Sequence, residues 1–511
     1  MSYLIGCDIG TLSTKSILAS TEGQIIAVSS IDYEIVTPKP LWADFPMEKP
    51  LQAVYETIKT VIKKAKIEPK NIVGICISGL YGGTGVPVDK NFKIIRPAIP
   101  WLDKRATAEC KWIEESIGSE AIAAITGNCI DTYWGFTKME WLRFNEPKNW
   151  EKIHQLFTPN AYVIFKLTGN VSLDYSSAGN YGGIFDIHQF TYAEPLMEEL
   201  QIPRSFFPEE IVKSCAIVGE ITAEGEKLTG LKKGTPISAG GIDAPVEALS
   251  VGTLNIGEHT ATLGTSMCWN IVQDRDTAKI DPSLINYPYV ANDEKSIYSF
   301  GGATTAAGII TWFRDNLAQG EVIKAKNNPE LSAYQLLDDL ASQVPPGSNG
   351  LITLPYFMGE RTPIWDPYAR GTIVGLTLYH TRAHLFRSFL EGVAFSLKDN
   401  IQAALKIGVQ LDEEMTLIGG GAKSTLWRQI FADITGFKIK YLSQSVGAPL
   451  GDALLAGVGN QLFDYNEIKN WSQIESISEP NPKTEKIYDE LFKIYQEIYN
   501  SNKKIYPNLP K

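Results

Sequence analysis

The chain has 511 residues, 44% hydrophobic and 21% charged, with a formal net charge of −11. That length exceeds one ordinary core and predicts two large lobes, in a composition typical of soluble globular proteins with no disorder signal. The acidic balance argues against a nucleic-acid partner, since such proteins carry a basic face that neutralises phosphates. No run of 18 apolar residues occurs and Met1-Ser2-Tyr3-Leu4-Ile5 lacks a basic leader, so a cytoplasmic protein with no membrane partner is expected.

The first elements are strands over Leu4 to Ile9, Lys15 to Ala19 and Gln24 to Ile35, with Thr21-Glu22-Gly23 as a hairpin turn. The first strand runs into Asp8-Ile9-Gly10-Thr11-Leu12-Ser13 and then Thr14-Lys15. A carboxylate, hydroxyls and a cation thus enter one turn. This suits a metal ion and phosphates, although a plain tight turn explains Asp and Gly equally well. The Gly-Lys-Ser/Thr ending of a Walker A loop is absent.

Helical spacing follows from Pro50 to Lys66, and Ile72 to Ser78 reads as a buried strand, which marks an α/β layer architecture. Pro236 to Asp243 predicts another strand, ending in glycines and an Asp, with a helix over Ala244 to Val251. His259 to Leu263 and Met267 to Val272 flank a second hydroxyl-bearing turn, Gly264-Thr265-Ser266. Its likeness to the turn at Gly10 suggests a weak internal duplication.

A long helix is expected from Arg382 to Ile407. Met415 to Ile418 leads into Gly419-Gly420-Gly421-Ala422-Lys423-Ser424 and a helix over Thr425 to Thr435, an arrangement that favours a nucleotide's phosphates or polar face. Pro449 to Gly459 is a last Ala/Gly-rich helix, and Thr484 onward a helical tail. Six scattered cysteines without a C-x-x-C pair fit reduced thiols, with Cys7 and Cys76 in the core. His380 and His384 lack a third ligand and read as a solvated helix face.

Five stretches together resemble the FGGY carbohydrate kinases: Asp8-x-Gly10-Thr11-x-Ser13; Gly240-Gly241-x-Asp243; Leu263-Gly264-Thr265-Ser266; Gly359-Glu360-Arg361-Thr362-Pro363 with Asp366-Pro367 and Arg370-Gly371; and Gly419 to Ser424 with Trp427-Arg428. The likeness is collinear, spans nearly the whole chain, and in wording leans toward the xylulose kinase branch. It implies an α/β protein of two actin-like (ribonuclease-H-like) lobes with a nucleotide cleft between them. The lobes would be residues 1–245 and 246–475, with a tail at 476–511.

The resemblance further implies ATP and Mg²⁺ as cofactors. Asp8 would help hold the metal, together with Asp243, and Thr11, Ser13, Lys15, Gly264 and Thr265 would line the phosphates. Gly420, Gly421 and Ser424 would border the adenosine. Asp243 would be the catalytic base, taking the proton of the acceptor hydroxyl; an Asp there also suits a helix N-cap.

For the acceptor, Tyr81-Gly82-Gly83 matches neither the xylulose nor the glycerol kinase wording. Tyr81, Gly82, Trp101, Asp103 and Tyr133 are the candidate sugar contacts, with Trp101 equally suited to the core. The expected activity is ATP-dependent phosphorylation of a small sugar, a ketose such as xylulose first. A kinase of gluconate, glycerol or another polyol is the alternative, and a non-catalytic actin-like ATP-binding protein the second. A homodimer is the assembly left open.

Overall fold

A computed structural model describes residues 2–80, 83–328, 330–442 and 446–509. Two compact units emerge, the first from Met1–Ile256, Val272–Tyr298 and Val446–Ser472, the second from Gly257–Ile271, Ser299–Ser445 and Gln473–Lys511. No helix among the described residues is long and apolar enough to cross a membrane.

The first unit is built on a six-stranded sheet. Its strands β1 (Tyr3–Ile9), β2 (Ser13–Ser20), β3 (Ile25–Asp32) and β4 (Ile72–Gly79) take the order β3-β2-β1-β4, continued by Pro236–Ser238 and Ile217–Glu220. β1 runs antiparallel to β2 and parallel to β4. Alternation along β1 and β4 sorts the two faces. Ile5, Cys7, Ile9, Ile75 and Ile77 join a core with Val54, Ile58 and Val61 of helix α1 (Glu48–Ala65). Gly6, Asp8, Gly74, Cys76 and Ser78 therefore belong to the other face, against which the helix Ala448–Gly459 packs.

By its contacts that helix groups with the first unit, because Gly6 lets its backbone come close: a Cβ on Gly6 would stand 1.8 Å from the Pro449 carbonyl. The C-terminal helix Pro482–Asn502 packs on the helix Thr425–Thr435 and the strand Ile352–Leu354 of the second unit.

The strand expected over Pro236 to Asp243 stops at Ser238. Gly240 turns the chain out of the sheet with φ +72°, where a Cβ would meet the Ile77 carbonyl at 1.9 Å.

The second unit repeats the plan. His259–Leu263 pairs antiparallel with Met267–Asp274 and parallel with Glu414–Ile418, which in turn runs parallel to Lys438–Tyr441. Ser476–Ser478 closes the series antiparallel, as Ile217–Glu220 does in the first unit. The duplication suggested by the two Gly turns is thus carried by whole sheets, and both units are ribonuclease-H-like.

Candidate active site

The turn between β1 and β2 is closed by the Gly10 N–H donating to the Ser13 carbonyl at 2.9 Å. Strand pairing sets Asp8 opposite Lys15 on one side and Ser78 on the other. The Lys15 ammonium donates to the Val446 carbonyl at 3.3 Å. Asp8, Lys15, Asp243 and Glu247 line one cavity of about 230 Å³ with the segment 446–449.

Asp243 is the first residue of the helix Asp243–Ser250, and Ile242 occupies the cap position. Its Oδ1 accepts the neighbouring Ala244 N–H at 2.7 Å. Glu247 lies one helical turn further on the same face. The sequence reading passed over it, although its spacing of four from Asp243 was available as a signal.

The charges in this cavity strain against one another. Burial pushes Asp8 up to about 7, with Glu247 adding to the rise and Lys15 and the Ser78 hydroxyl opposing it. Asp243 is raised well above the ordinary carboxylate range, first by burial and then by Asp8. Among the described residues no three His, Cys, Asp or Glu side chains form a metal cage. Hard oxygen donors without a closed cage suit Mg²⁺, which is held by one or two carboxylates plus substrate phosphates.

Of the expected sugar contacts, Trp101, Asp103 and Tyr133 lie on loops of the same unit. The Trp101 indole N–H donates to the Thr11 hydroxyl at 3.2 Å, which ties this half-buried ring to the first turn. Asp103 is corrected as a sugar contact. It is 0% exposed, and its oxygens accept from the Ala43 N–H at 2.5 Å, the Arg105 N–H at 2.8 Å and the Arg105 guanidinium at 2.9 Å. Its carboxylate braces the loop from within.

Tyr133 is half-buried, edge-on to Trp134. Beneath it the Lys138 amine, 0% exposed, donates to the carbonyls of Thr132 and Tyr133. Tyr81 and Gly82 lie outside the described residues.

In the second unit the Gly264 N–H donates to the Ser266 carbonyl at 2.9 Å, repeating the closure of the first turn. The Gly264 and Thr265 carbonyls accept from Ala307 and Ala306, anchoring the helix Ala307–Leu317. A cavity of about 490 Å³ is lined by Thr265, Gly420, Gly421, Ser424, Tyr334 and Asp338, among others. That volume falls in the range of small-molecule pockets.

Ser424 caps the helix Thr425–Thr435 by accepting the Trp427 N–H at 3.0 Å. Asp338 is pushed up to about 6 by burial, against a hydrogen bond with Ser424. Tyr334 and Asp338 come from the helix Ala333–Ser342 and went unread in the sequence, because no glycine turn or motif marks that stretch.

Other motif residues are braces. Thr362 Oγ1 accepts the Gly302 N–H at 2.5 Å, and Glu360 accepts the Thr304 N–H at 2.6 Å. The Trp427 indole donates to the Leu390 carbonyl, and Arg428 donates to the Ala422 carbonyl behind the glycine turn. His380 precedes the helix Arg382–Lys406. His384 is buried and closes a capping box with Thr381, so the pair is no solvated helix face.

Residues 3–250 match the N-terminal domain, and residues 260–459 the C-terminal domain, of the FGGY family of carbohydrate kinases. The xylulose kinase of Lactococcus lactis is 29% identical over 99% of this chain and 98% of its own. Among solved structures, a xylulose kinase from Rhodospirillum rubrum aligns with TM-score 0.89 at 28% identity, covering 99% of both chains. A gluconate kinase from Lactobacillus acidophilus aligns with TM-score 0.90 at 26% identity, also over 99% of both.

Proposed function

Because this chain belongs to the FGGY family of carbohydrate kinases, we propose that it transfers the γ-phosphate of ATP to a hydroxyl of a ketose, xylulose being the first candidate. The observation that carries the chemistry is Asp243 lining one cavity with Asp8 and Lys15.

In the reaction, the acceptor oxygen forms its bond to the γ-phosphorus as the bond to the bridging oxygen breaks, and ADP leaves with that oxygen. The hydroxyl proton passes to Asp243, whose raised proton affinity suits it to the task better than an ordinary surface carboxylate. Mg²⁺ would be held by Asp8 with Asp243 beside it, and supplies charge neutralisation at the phosphates when bound.

Lys15, Thr11 and Ser13 are the phosphate-binding groups of the first unit, and Gly264 and Thr265 belong with the nucleotide cavity of the second. Gly420, Gly421 and Ser424 border the adenosine, with Asp338 and Tyr334 as further walls of the same cavity. Trp101 and Tyr133 offer flat apolar surfaces to the sugar, and Asp103 supports them indirectly.

Asp243→Asn is expected to fold and bind ATP while kcat falls by about 10²–10⁴-fold, the range for losing a positioned base. A near-normal kcat removes Asp243 from that role. Gluconate is the second reading, because the gluconate kinase fold is as close as that of the xylulose kinase. ADP release measured with xylulose, gluconate and glycerol decides between them. Turnover with gluconate alone would overturn the ketose assignment, and turnover independent of any sugar would overturn the kinase reading.

A further inference from the structure

The helix Ala448–Gly459 crosses the sheet face that carries Gly6, Asp8, Cys76 and Ser78. Apart from one residue it is apolar on that side, where Pro449, Ala453 and Ala456 meet Gly6 and Gly74. The exception is Asp452, which is 0% exposed. Its Oδ2 is 2.7 Å from Ser78 Oγ and its Oδ1 is 3.5 Å from Cys76 Sγ. The same Ser78 Oγ stands 3.4 Å from Oδ1 of Asp8. Three side chains thus form a row from the buried helix to the cavity carboxylate.

The row has a proton count. The Ser78 hydroxyl owns one proton and has carboxyl oxygens on both sides, so it cannot donate to both. If Asp452 were ionised, it would take that proton and leave a buried charge without a cationic partner among the described residues, which is costly. As a carboxylic acid, Asp452 donates to Ser78 Oγ, and the Ser78 proton is released toward Asp8. Burial supports this state, since it raises Asp452 well above the ordinary carboxylate range.

We infer that Asp452 is a positioning residue for phosphoryl transfer: in its acid form it donates to Ser78, which in turn donates to Oδ1 of Asp8 and fixes the orientation of that carboxylate. The inference rests on the reading of Asp8 as the carboxylate that serves metal and phosphates.

Four single variants test it, Asp8→Ala, Ser78→Ala, Asp452→Ala and Asp452→Asn, each checked for folding by its unfolding temperature and assayed for kcat and for half-saturation by Mg²⁺. Loss of the Ser78 hydrogen bond is expected to shift kcat or Mg²⁺ half-saturation by about tenfold, the worth of one hydrogen bond to a charged group. Ser78→Ala and Asp452→Ala should shift alike, and the double variant should be no worse than Ser78→Ala. Asp452→Asn should recover most of the loss, because its amide N–H still donates to Ser78.

Folded Ser78→Ala with unchanged kcat and Mg²⁺ half-saturation overturns the inference, as does Asp452→Asn impaired beyond Ser78→Ala. Should Asp452→Ala fail to fold, those two variants decide. If Asp8→Ala keeps wild-type turnover, the reading of Asp8 itself fails. If Asp8→Ala is inactive while Ser78→Ala matches wild type in both kcat and Mg²⁺ half-saturation, the inference alone fails.

Discussion

Lys138 shows how a single buried amine shapes the loop that carries Tyr133. Its amine is fully enclosed and donates to two successive carbonyls, those of Thr132 and Tyr133. Burial brings it down to about 7, with Lys104 acting in the same direction and Asp103 and Asp131 opposing. Even as a neutral amine it keeps two N–H donors, enough for both carbonyls. Between about pH 7 and 10.5 the unfolded chain binds the lysine proton and the folded chain does not, so this residue makes stability rise with pH across that window. Lys138→Met should remove that slope, measured as denaturant midpoints at pH 7, 8 and 9. It should also raise KM for the sugar more than it lowers kcat, because the carbonyls of the Tyr133 loop lose their donor. An unchanged slope would show that the proton of Lys138 is not released on folding.

At the scale of elements, the fit of helix to sheet depends on what is missing from β1. A methyl group on Gly6 would overlap the Pro449 carbonyl, so Gly6→Ala must push the helix Ala448–Gly459 away from the sheet. Overpacking of this kind costs about 1–3 kcal/mol. The expected result is a lower denaturant midpoint with an activity loss at least as large as that of Ser78→Ala, since Asp452 rides on the displaced helix. A Gly6→Ala protein of normal stability and activity would mean that the helix can shift without consequence.

The same pairing explains what the sequence could and could not tell. The helix Thr425–Thr435 was legible to the residue, because a Ser cap and a regular apolar stripe are local signals. The turn at Gly10 was legible as a turn, but its second strand starts at Ser13, two residues before the expected Lys15. The unit to which Ala448–Gly459 belongs was not legible, because the contact that decides it joins residues more than 440 positions apart. Asp452 was hidden for the same reason: within its own helix it is one acid among apolar residues, and its partners Cys76 and Ser78 come from β4. Glu247 needed only helical spacing, and was missed beside the louder motif at Asp243.

For the molecule as a whole, the duplicated sheets divide the labour. Each unit carries its own hydroxyl-bearing turn, yet the two cavities differ in chemistry. The cavity at Asp8 and Asp243 is small and holds three carboxylates with one lysine. The second unit's is about twice as large and walled by Trp427, Tyr334, Phe386 and Ile310. An adenine ring suits the apolar walls, and a sugar hydroxyl with its phosphoryl donor suits the charged cavity. Binding therefore should protect different peptides in hydrogen exchange, because ligand binding lowers local opening only where contacts are made. ADP without metal is expected to slow exchange in the helix Ala333–Ser342 and in the stretch 419–427, by up to ~100-fold at a hundred times Kd. The sugar alone should slow exchange around Trp101 and in the stretch 131–138, leaving 333–342 unchanged. Protection by ADP confined to the first unit would overturn the assignment of the nucleotide to the larger cavity, whatever the acceptor proves to be.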